Sequence, residues 1–139
     1  MNAAHRALTI AVARGWVPWL DERDAVLEIT ARTEAGSRIR QAIDAHAAHL
    51  PMPECGQMVR GASGRTYWVD KFWRAQRVIG EDDGMLKYLT GQDLIKEKLR
   101  QEDLESTGHR IVRCCWHDVN TDPGPWLARL RRALASGAQ

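Results

Sequence analysis

Two acidic residues lie where strand-like segments end, and together they are candidates for metal-dependent chemistry. Asp70 follows the strand-like run Thr66–Val69, and Glu81 closes the apolar pair Val78-Ile79. If the two strands are neighbours joined by a tight turn near Phe72–Ala75, both carboxylates reach one end of the sheet. Carboxylates held together repel, and at least one pKa rises unless a cation intervenes. A divalent cation would meet that need, because Mg²⁺ takes one or two carboxylates together with water and substrate phosphate.

The residues that follow Glu81 extend this candidate site. Asp83 can add a third oxygen ligand, and Lys87 is close enough in sequence to orient a water or to meet a phosphate. The same residues also have a structural interpretation, since Asp82-Asp83-Gly84 after a strand is typical of a turn and Asp70 can cap a hairpin. Spacing alone leaves both interpretations open.

The elements that must position these residues form a mixed α/β pattern. Thr33 is a suitable N-cap for a helix that Pro51 and Pro53 end. On either side of Ser63-Gly64, apolar and polar residues alternate as they do in β-strands. Other segments repeat apolar residues at helical spacing. They predict strands at 57–62, 65–70, 77–81 and 110–116, a helix from about Asp93 to Ser106 that stops at Gly108, and a last helix from Asp122-Pro123. This order predicts one small mixed sheet flanked by helices.

Composition excludes several classes of protein. The chain has 139 residues, with 20 Lys+Arg against 18 Asp+Glu, and 44% of its residues are hydrophobic. Those values are ordinary for a globular domain, and no apolar run approaches the ~20 residues that a membrane span needs. We therefore predict a cytoplasmic protein without a membrane partner. Cys114 and Cys115 are adjacent in a predicted strand and therefore point to opposite faces, which argues against a shared zinc site. We predict that the three cysteines are reduced thiols.

A resemblance to a known family rests on TYWVDKFWRAQRVIGEDDGMLKY and on LIKEKLRQEDLESTGHRIVRCCWHDV. These segments resemble the very-short-patch-repair-like endonuclease domains common in actinobacteria, part of the PD-(D/E)XK restriction-endonuclease-like superfamily. The match covers about residues 33–135. The positions that match are Val69-Asp70 with Trp73, Glu81-Asp83-Gly84 with Lys87-Tyr88, Glu97-Lys98-Arg100, Leu104, Gly108, and Val112-Arg113 with Trp116.

The resemblance implies a metal-dependent DNA endonuclease. It implies a restriction-endonuclease-like core at 33–139 after an N-terminal helical extension at 1–32. Asp70, Glu81 and Asp83 would bind Mg²⁺ or Mn²⁺, and the metal would activate water for phosphodiester hydrolysis. Lys87 would stabilise charge on the phosphoryl oxygens.

Two positions depart from the family pattern. The strict superfamily form has Lys two residues after the second acid, where this chain has Asp83. Relatives often carry a Glu in the first core helix, where this chain has Gly36. The alternative function is therefore a catalytically degenerate DNA-binding or interaction module, linked to antitoxin-type regulation or phage defence.

Further residues are candidates for supporting roles. Glu97 and Arg100 share one side of the predicted helix and are expected to support the metal ligands from behind. The candidates for nucleic-acid contacts are Arg113, Arg129 and Arg132. The apolar segment Trp16–Leu20 is expected to pack on the domain, on a partner chain in a homodimer, or on an upstream winged-helix region like that of AbiEi-associated relatives.

Overall fold

The computed structural model describes residues 40–41, 44–83, 91–115, 117–118 and 121–137. Residues up to Met52 and those from 117 to Leu127 belong to one compact unit. The second unit comprises Pro53–Cys115 and the chain from Ala128 onward. The elements are β1 (Glu54–Arg60), β2 (Thr66–Trp73), β3 (Val78–Asp83), α1 (Gly91–Glu105), β4 (Arg110–Cys115) and α2 (Gly124–Gly137).

The second unit contains a four-stranded mixed sheet in the order β1-β2-β3-β4. β1 pairs antiparallel with β2, and β2 pairs antiparallel with β3. β3 and β4 are parallel, and α1 connects them, because a parallel pair needs a crossover rather than a tight turn. The predicted α/β class, with a small mixed sheet flanked by helices, is confirmed.

The predicted hairpin around Ser63-Gly64 is present and is fastened to α1. Gly61 donates its N–H to the Arg65 carbonyl at 2.8 Å, and Gly64 has a φ of 91°, which favours glycine. The Asp103 carboxylate of α1 accepts the Ser63 N–H at 2.8 Å and the Tyr67 hydroxyl at 2.7 Å. This end of the sheet is therefore fixed to the helix by hydrogen bonds at a charged acceptor.

The alternation of β2 is interrupted at Asp70. Val69 and Phe72, three residues apart, belong to the same buried cluster as Leu104 of α1. Strict alternation would send Val69 and Phe72 to opposite faces. The interruption coincides with Gly56 of β1, which has a φ of 60°. Its neighbours Cys55 and Gln57 pair with Lys71 and Val69 of β2, whereas Gly56 itself forms no such pair.

Two local predictions around the site are wrong. The turn between β2 and β3 lies at 74–77 rather than Phe72–Ala75, because Trp73 still pairs with Val78. Asp82 and Asp83 continue β3 instead of forming a turn, because β4 pairs alongside them as far as Cys115.

The two helices of the later chain follow the sequence pattern. α1 ends before Gly108, which has a φ of 84° and donates its N–H to the Glu105 carbonyl. Asp122 Oδ1 accepts the Gly124 N–H at 3.0 Å at the start of α2. The buried residues of α2 recur at three- and four-residue steps and are Trp126, Leu130, Ala133 and Leu134.

Several predictions concern residues outside the described part of the chain. Residues 40–41 and 44–47 are helical, as predicted ahead of Pro51, whereas the predicted helix start at Thr33 lies outside. The boundary between residues 32 and 33 and the segment Trp16–Leu20 also lie outside. Within the described residues, no helix combines the length and apolar character needed to cross a membrane.

Candidate active site

The structure brings Asp70 and Glu81 together on adjacent strands. Lys71 pairs with Gly80, so Asp70 and Glu81 are the next residues along β2 and β3. Asp70 Oδ2 accepts the Asp82 N–H at 2.8 Å, which holds the carboxylate across the strand pair. The pKa of Glu81 is raised from 4.5 to about 7, chiefly by burial; Arg100 lowers this pKa, and the charge and hydrogen bonding of Asp70 contribute to the rise.

Arg100 of α1 supplies the cation that touches this carboxylate pair. Its Nη2 donates to Glu81 Oε1 at 2.5 Å and to the Trp68 carbonyl at 2.9 Å. The guanidinium carbon also lies 5.8 Å from the centre of the Tyr67 ring. Arg100 was predicted to support the metal ligands, and the residue that it contacts, Glu81, is one of the predicted ligands. Its long side chain reaches the sheet face that α1 covers.

Glu97 links Arg100 to the neighbouring strand. Glu97 Oε1 accepts from Arg100 Nη1 at 3.2 Å and from Arg113 Nη2 at 2.7 Å. Arg113 pairs in register with Glu81 and also donates to Gln101 Oε1 at 3.2 Å. An arginine within a strand that is partly buried needs an anionic partner, and Glu97 supplies it.

A second ion pair lies on the opposite face of the sheet. Lys71 Nζ lies 2.5 Å from Asp82 Oδ1, and the two side chains are only 4% and 11% exposed. Because consecutive residues of β3 alternate, Asp82 points away from the face that carries Glu81, and Lys71 lies with Asp82 on that opposite face. Trp73 lies against Gly80 on that opposite face, so it does not line the carboxylate pair.

Of the remaining predicted site residues, two have side chains that lie outside the described part of the chain and two are on α2. Asp83 ends β3, and its side chain, like the whole of Lys87, lies outside the described part of the chain. Arg129 donates to the Arg113 carbonyl at 3.1 Å, which places it on the β4 side of the sheet. Arg132 is exposed on α2.

The chemistry of this donor set fits a hydrated divalent cation. Asp70 and Glu81 offer only carboxylate oxygens, which Mg²⁺ and Mn²⁺ prefer, and both ions retain positions for water and phosphate. Among the described residues, no group of three or more His, Cys, Asp or Glu side chains could hold a metal ion. Two carboxylates alone would leave most coordination positions of such an ion to water and phosphate.

Two features of the site could not be identified by sequence reasoning. Lys71 lies beside Asp70 in an apolar strand. The sequence indicates only that a charged residue at such a position requires a partner, not which residue that partner is. Trp68 is 62% exposed, with its ring lying over Gly56 at the β1 edge of the sheet.

Comparison with known proteins finds distant similarity. The chain is 28% identical over 125 residues to the uncharacterized proteins MT2308 and Rv2248 of Mycobacterium tuberculosis. These residues make up 90% of this chain but 43% of each relative, so the chain spans less than half the length of the curated relatives that it matches. No protein-family model matches the chain, and no solved structure matches it.

Proposed function

We propose that this chain carries a metal-dependent DNA endonuclease site with a restriction-endonuclease-like core. The observation that carries the proposal is the contact between the Asp70 and Glu81 carboxyls, one of them buried and adjacent to Arg100. Burying two acids side by side is costly unless a cation compensates them. The resemblance of the surrounding motifs to very-short-patch-repair-like endonucleases supports the same function.

In this proposal the carboxylates hold the metal ion and Lys87 acts on the phosphate. Glu81 and Asp70 would hold Mg²⁺ or Mn²⁺, with Asp83 as a third oxygen donor. When bound, the metal would polarise the phosphate and lower the pKa of a water. The water oxygen then forms a bond to phosphorus while the bond from phosphorus to the leaving sugar oxygen breaks. The water releases a proton to solvent, and the leaving oxygen takes one up. Lys87 is proposed to stabilise the phosphoryl charge.

The setting that we propose is cytoplasmic. The sequence has three cysteines, two of which, Cys114 and Cys115, are adjacent, a pattern that favours reduced thiols over a disulfide framework. Reduced thiols are typical of cytosolic proteins.

The experiment that tests this function is nicking of supercoiled plasmid in the presence of Mg²⁺ or Mn²⁺. Wild type is compared with Glu81→Ala, Asp70→Asn and the control Glu102→Gln, which removes an exposed carboxylate from α1. We expect wild type and the control to nick DNA only with metal. The two site variants should be slower by about 100-fold or more, since metal catalysis contributes several kcal/mol. Equal nicking by Glu81→Ala and wild type would contradict the assignment of the site.

A second candidate is a DNA-binding or interaction module without catalysis, tied to antitoxin-type regulation or phage defence. It is favoured by the ion pair between Arg100 and Glu81, which already neutralises one of the two acids. Such a module would bind DNA with a strong dependence on salt concentration and no requirement for metal. Absence of nicking by wild type together with such binding would select this candidate.

A further inference from the structure

Arg100 is held in place by more than its contact with Glu81. Glu97 Oε1 and the Trp68 carbonyl accept hydrogen bonds from the guanidinium at 3.2 and 2.9 Å. The Tyr67 ring lies near its carbon. The Arg100 side chain is 18% exposed. Three contacts from two elements would therefore keep the guanidinium beside the carboxylate pair even if Glu81 turned to another cation.

Arg100 contacts the same carboxylate that would hold a metal ion. Its Nη2 donates to Glu81 Oε1, while Asp70 Oδ2 accepts the Asp82 N–H. A guanidinium and a metal ion that both bind one carboxylate repel each other at such short range. Binding of a cation at Glu81 must therefore weaken the contact with Arg100.

We propose that Arg100 is a catalytic residue that exchanges partners. In the absence of metal its guanidinium neutralises Glu81, and when metal and DNA bind it transfers that hydrogen bond to a phosphate oxygen. This inference rests on the proposed nuclease function. A guanidinium is suited to the exchange, because its planar donors match carboxylate and phosphate equally well.

Glu97 is the positioning residue for this exchange. One oxygen, Oε1, accepts from both Arg100 and Arg113, so the two guanidinium groups share a single anion between them. Arg113 is bound from the other side by Gln101. Glu97 thus restrains Arg100 toward the sheet while leaving its Nη2 group directed at Glu81.

The exchange predicts opposite effects of one substitution on two measurements. Arg100→Gln removes the competitor for Glu81, so Mn²⁺ should bind the DNA-free protein about tenfold more tightly, the order of effect that a neighbouring charge has on a carboxylate. The same variant should nick plasmid about 100-fold more slowly, as expected when a donor to the reacting phosphate is lost. Calorimetric titration with Mn²⁺ gives the first value, and single-turnover nicking gives the second.

The matched control is Lys98→Gln, which removes one positive charge from an exposed position on α1. It should leave Mn²⁺ affinity and nicking close to wild type. Arg100→Lys keeps the charge but loses the planar donor pair, and we expect it to nick slowly with near-normal Mn²⁺ affinity. If Arg100→Gln does not fold in a thermal melt, Arg100→Met, which also removes the charge, takes its place in both measurements.

The outcomes separate this inference from the proposed function. Weaker Mn²⁺ binding and slower nicking together in Arg100→Gln would mean that Arg100 only holds the site together, which overturns the exchange. Unchanged Mn²⁺ affinity would also overturn it. If wild type does not nick DNA, the proposed function fails, while the Mn²⁺ titration still decides whether Arg100 and metal compete for Glu81.

Discussion

Lys71 Nζ contacts Asp82 Oδ1 at 2.5 Å with both side chains almost fully buried, one strand position away from the Asp70–Glu81 pair. The sheet therefore carries charged pairs on both faces between β2 and β3. On the Lys71 face the pair joins a cation to an anion. On the opposite face the pair consists of two acids, one of which also contacts Arg100. This difference is why we assign chemistry to one face and stability to the other.

Replacing Lys71 by Met is expected to destabilise the protein strongly. The change leaves the Asp82 carboxylate without its buried cation, and breaking a buried ion pair on one side costs about 3–5 kcal/mol. Urea unfolding at neutral pH measures the loss. The double variant Lys71→Met with Asp82→Leu should recover much of it, because no buried charge then lacks a partner. A double variant as unstable as the single one would refute this account.

Adding one methyl group at Gly80 should also destabilise the sheet. A Cβ there would lie 2.9 Å from Trp73 Cζ3 and 3.2 Å from Lys71 Cβ. Neither atom can move without disturbing the buried pairing of β2 with β3, so we expect Gly80→Ala to cost about 1–3 kcal/mol. Gly91→Ala is the control, since a Cβ at the start of α1 meets no atom within 4 Å. Equal unfolding midpoints for the two variants would contradict the packing argument.

The sequence was most informative where local chemistry decides the structure. The turn at Ser63-Gly64 and the stop at Gly108 follow from glycine conformations that other residues rarely adopt, with φ values of 91° and 84°. The apolar stripe that contains Leu130 and Leu134 follows from helical periodicity. The approach of Asp70 to Glu81 follows from the antiparallel pairing of their strands.

Long-range contacts could not be predicted in the same way. The contact of Arg100 with Glu81 joins residues 19 apart in sequence through the placement of α1 on the sheet, which no local pattern encodes. The approach of the Trp68 ring to Gly56 likewise joins residues of neighbouring strands. Pairing by β4 kept Asp82 in a strand although its neighbours Asp83 and Gly84 favour a turn, since tertiary pairing overrides local propensity.

Asp103 should stabilise the protein in a pH-dependent manner. Hydrogen bonds from Ser63 and Tyr67 hold its pKa below 3.8 in the folded protein. A lowered pKa gives stability that is full above the unfolded value and is lost as pH falls through the folded value. Wild type should therefore be more stable than Asp103→Asn at neutral pH, with the difference shrinking below pH 3.8. A difference that stays constant down to strongly acidic pH in urea titrations would contradict this prediction.

Glu81 should have the opposite pH dependence. Its pKa rises from 4.5 to about 7 on folding, so the folded state binds the proton more tightly than the unfolded state does. That contribution to stability is full below pH 4.5 and is lost as pH rises through about 7. Wild type should lose stability relative to Glu81→Gln over this range in urea unfolding. Glu102→Gln, which changes an exposed carboxylate, should show no such trend.

Arg129 and Arg132 should contribute to DNA affinity through phosphate contacts alone. Both side chains are exposed on α2, and Arg129 is fixed beside β4 by its hydrogen bond to the Arg113 carbonyl. Each phosphate contact releases counterions, so Arg129→Gln and Arg132→Gln should each reduce the slope of log affinity against log salt concentration by about 1. Arg74→Gln is the control, because the Arg74 charge is already paired with Glu54 at 3.0 Å. Binding measured by fluorescence anisotropy over a range of salt concentrations gives the slopes. Equal slopes for wild type and both α2 variants would show that DNA does not reach α2, and the binding surface would then have to be sought elsewhere on the sheet.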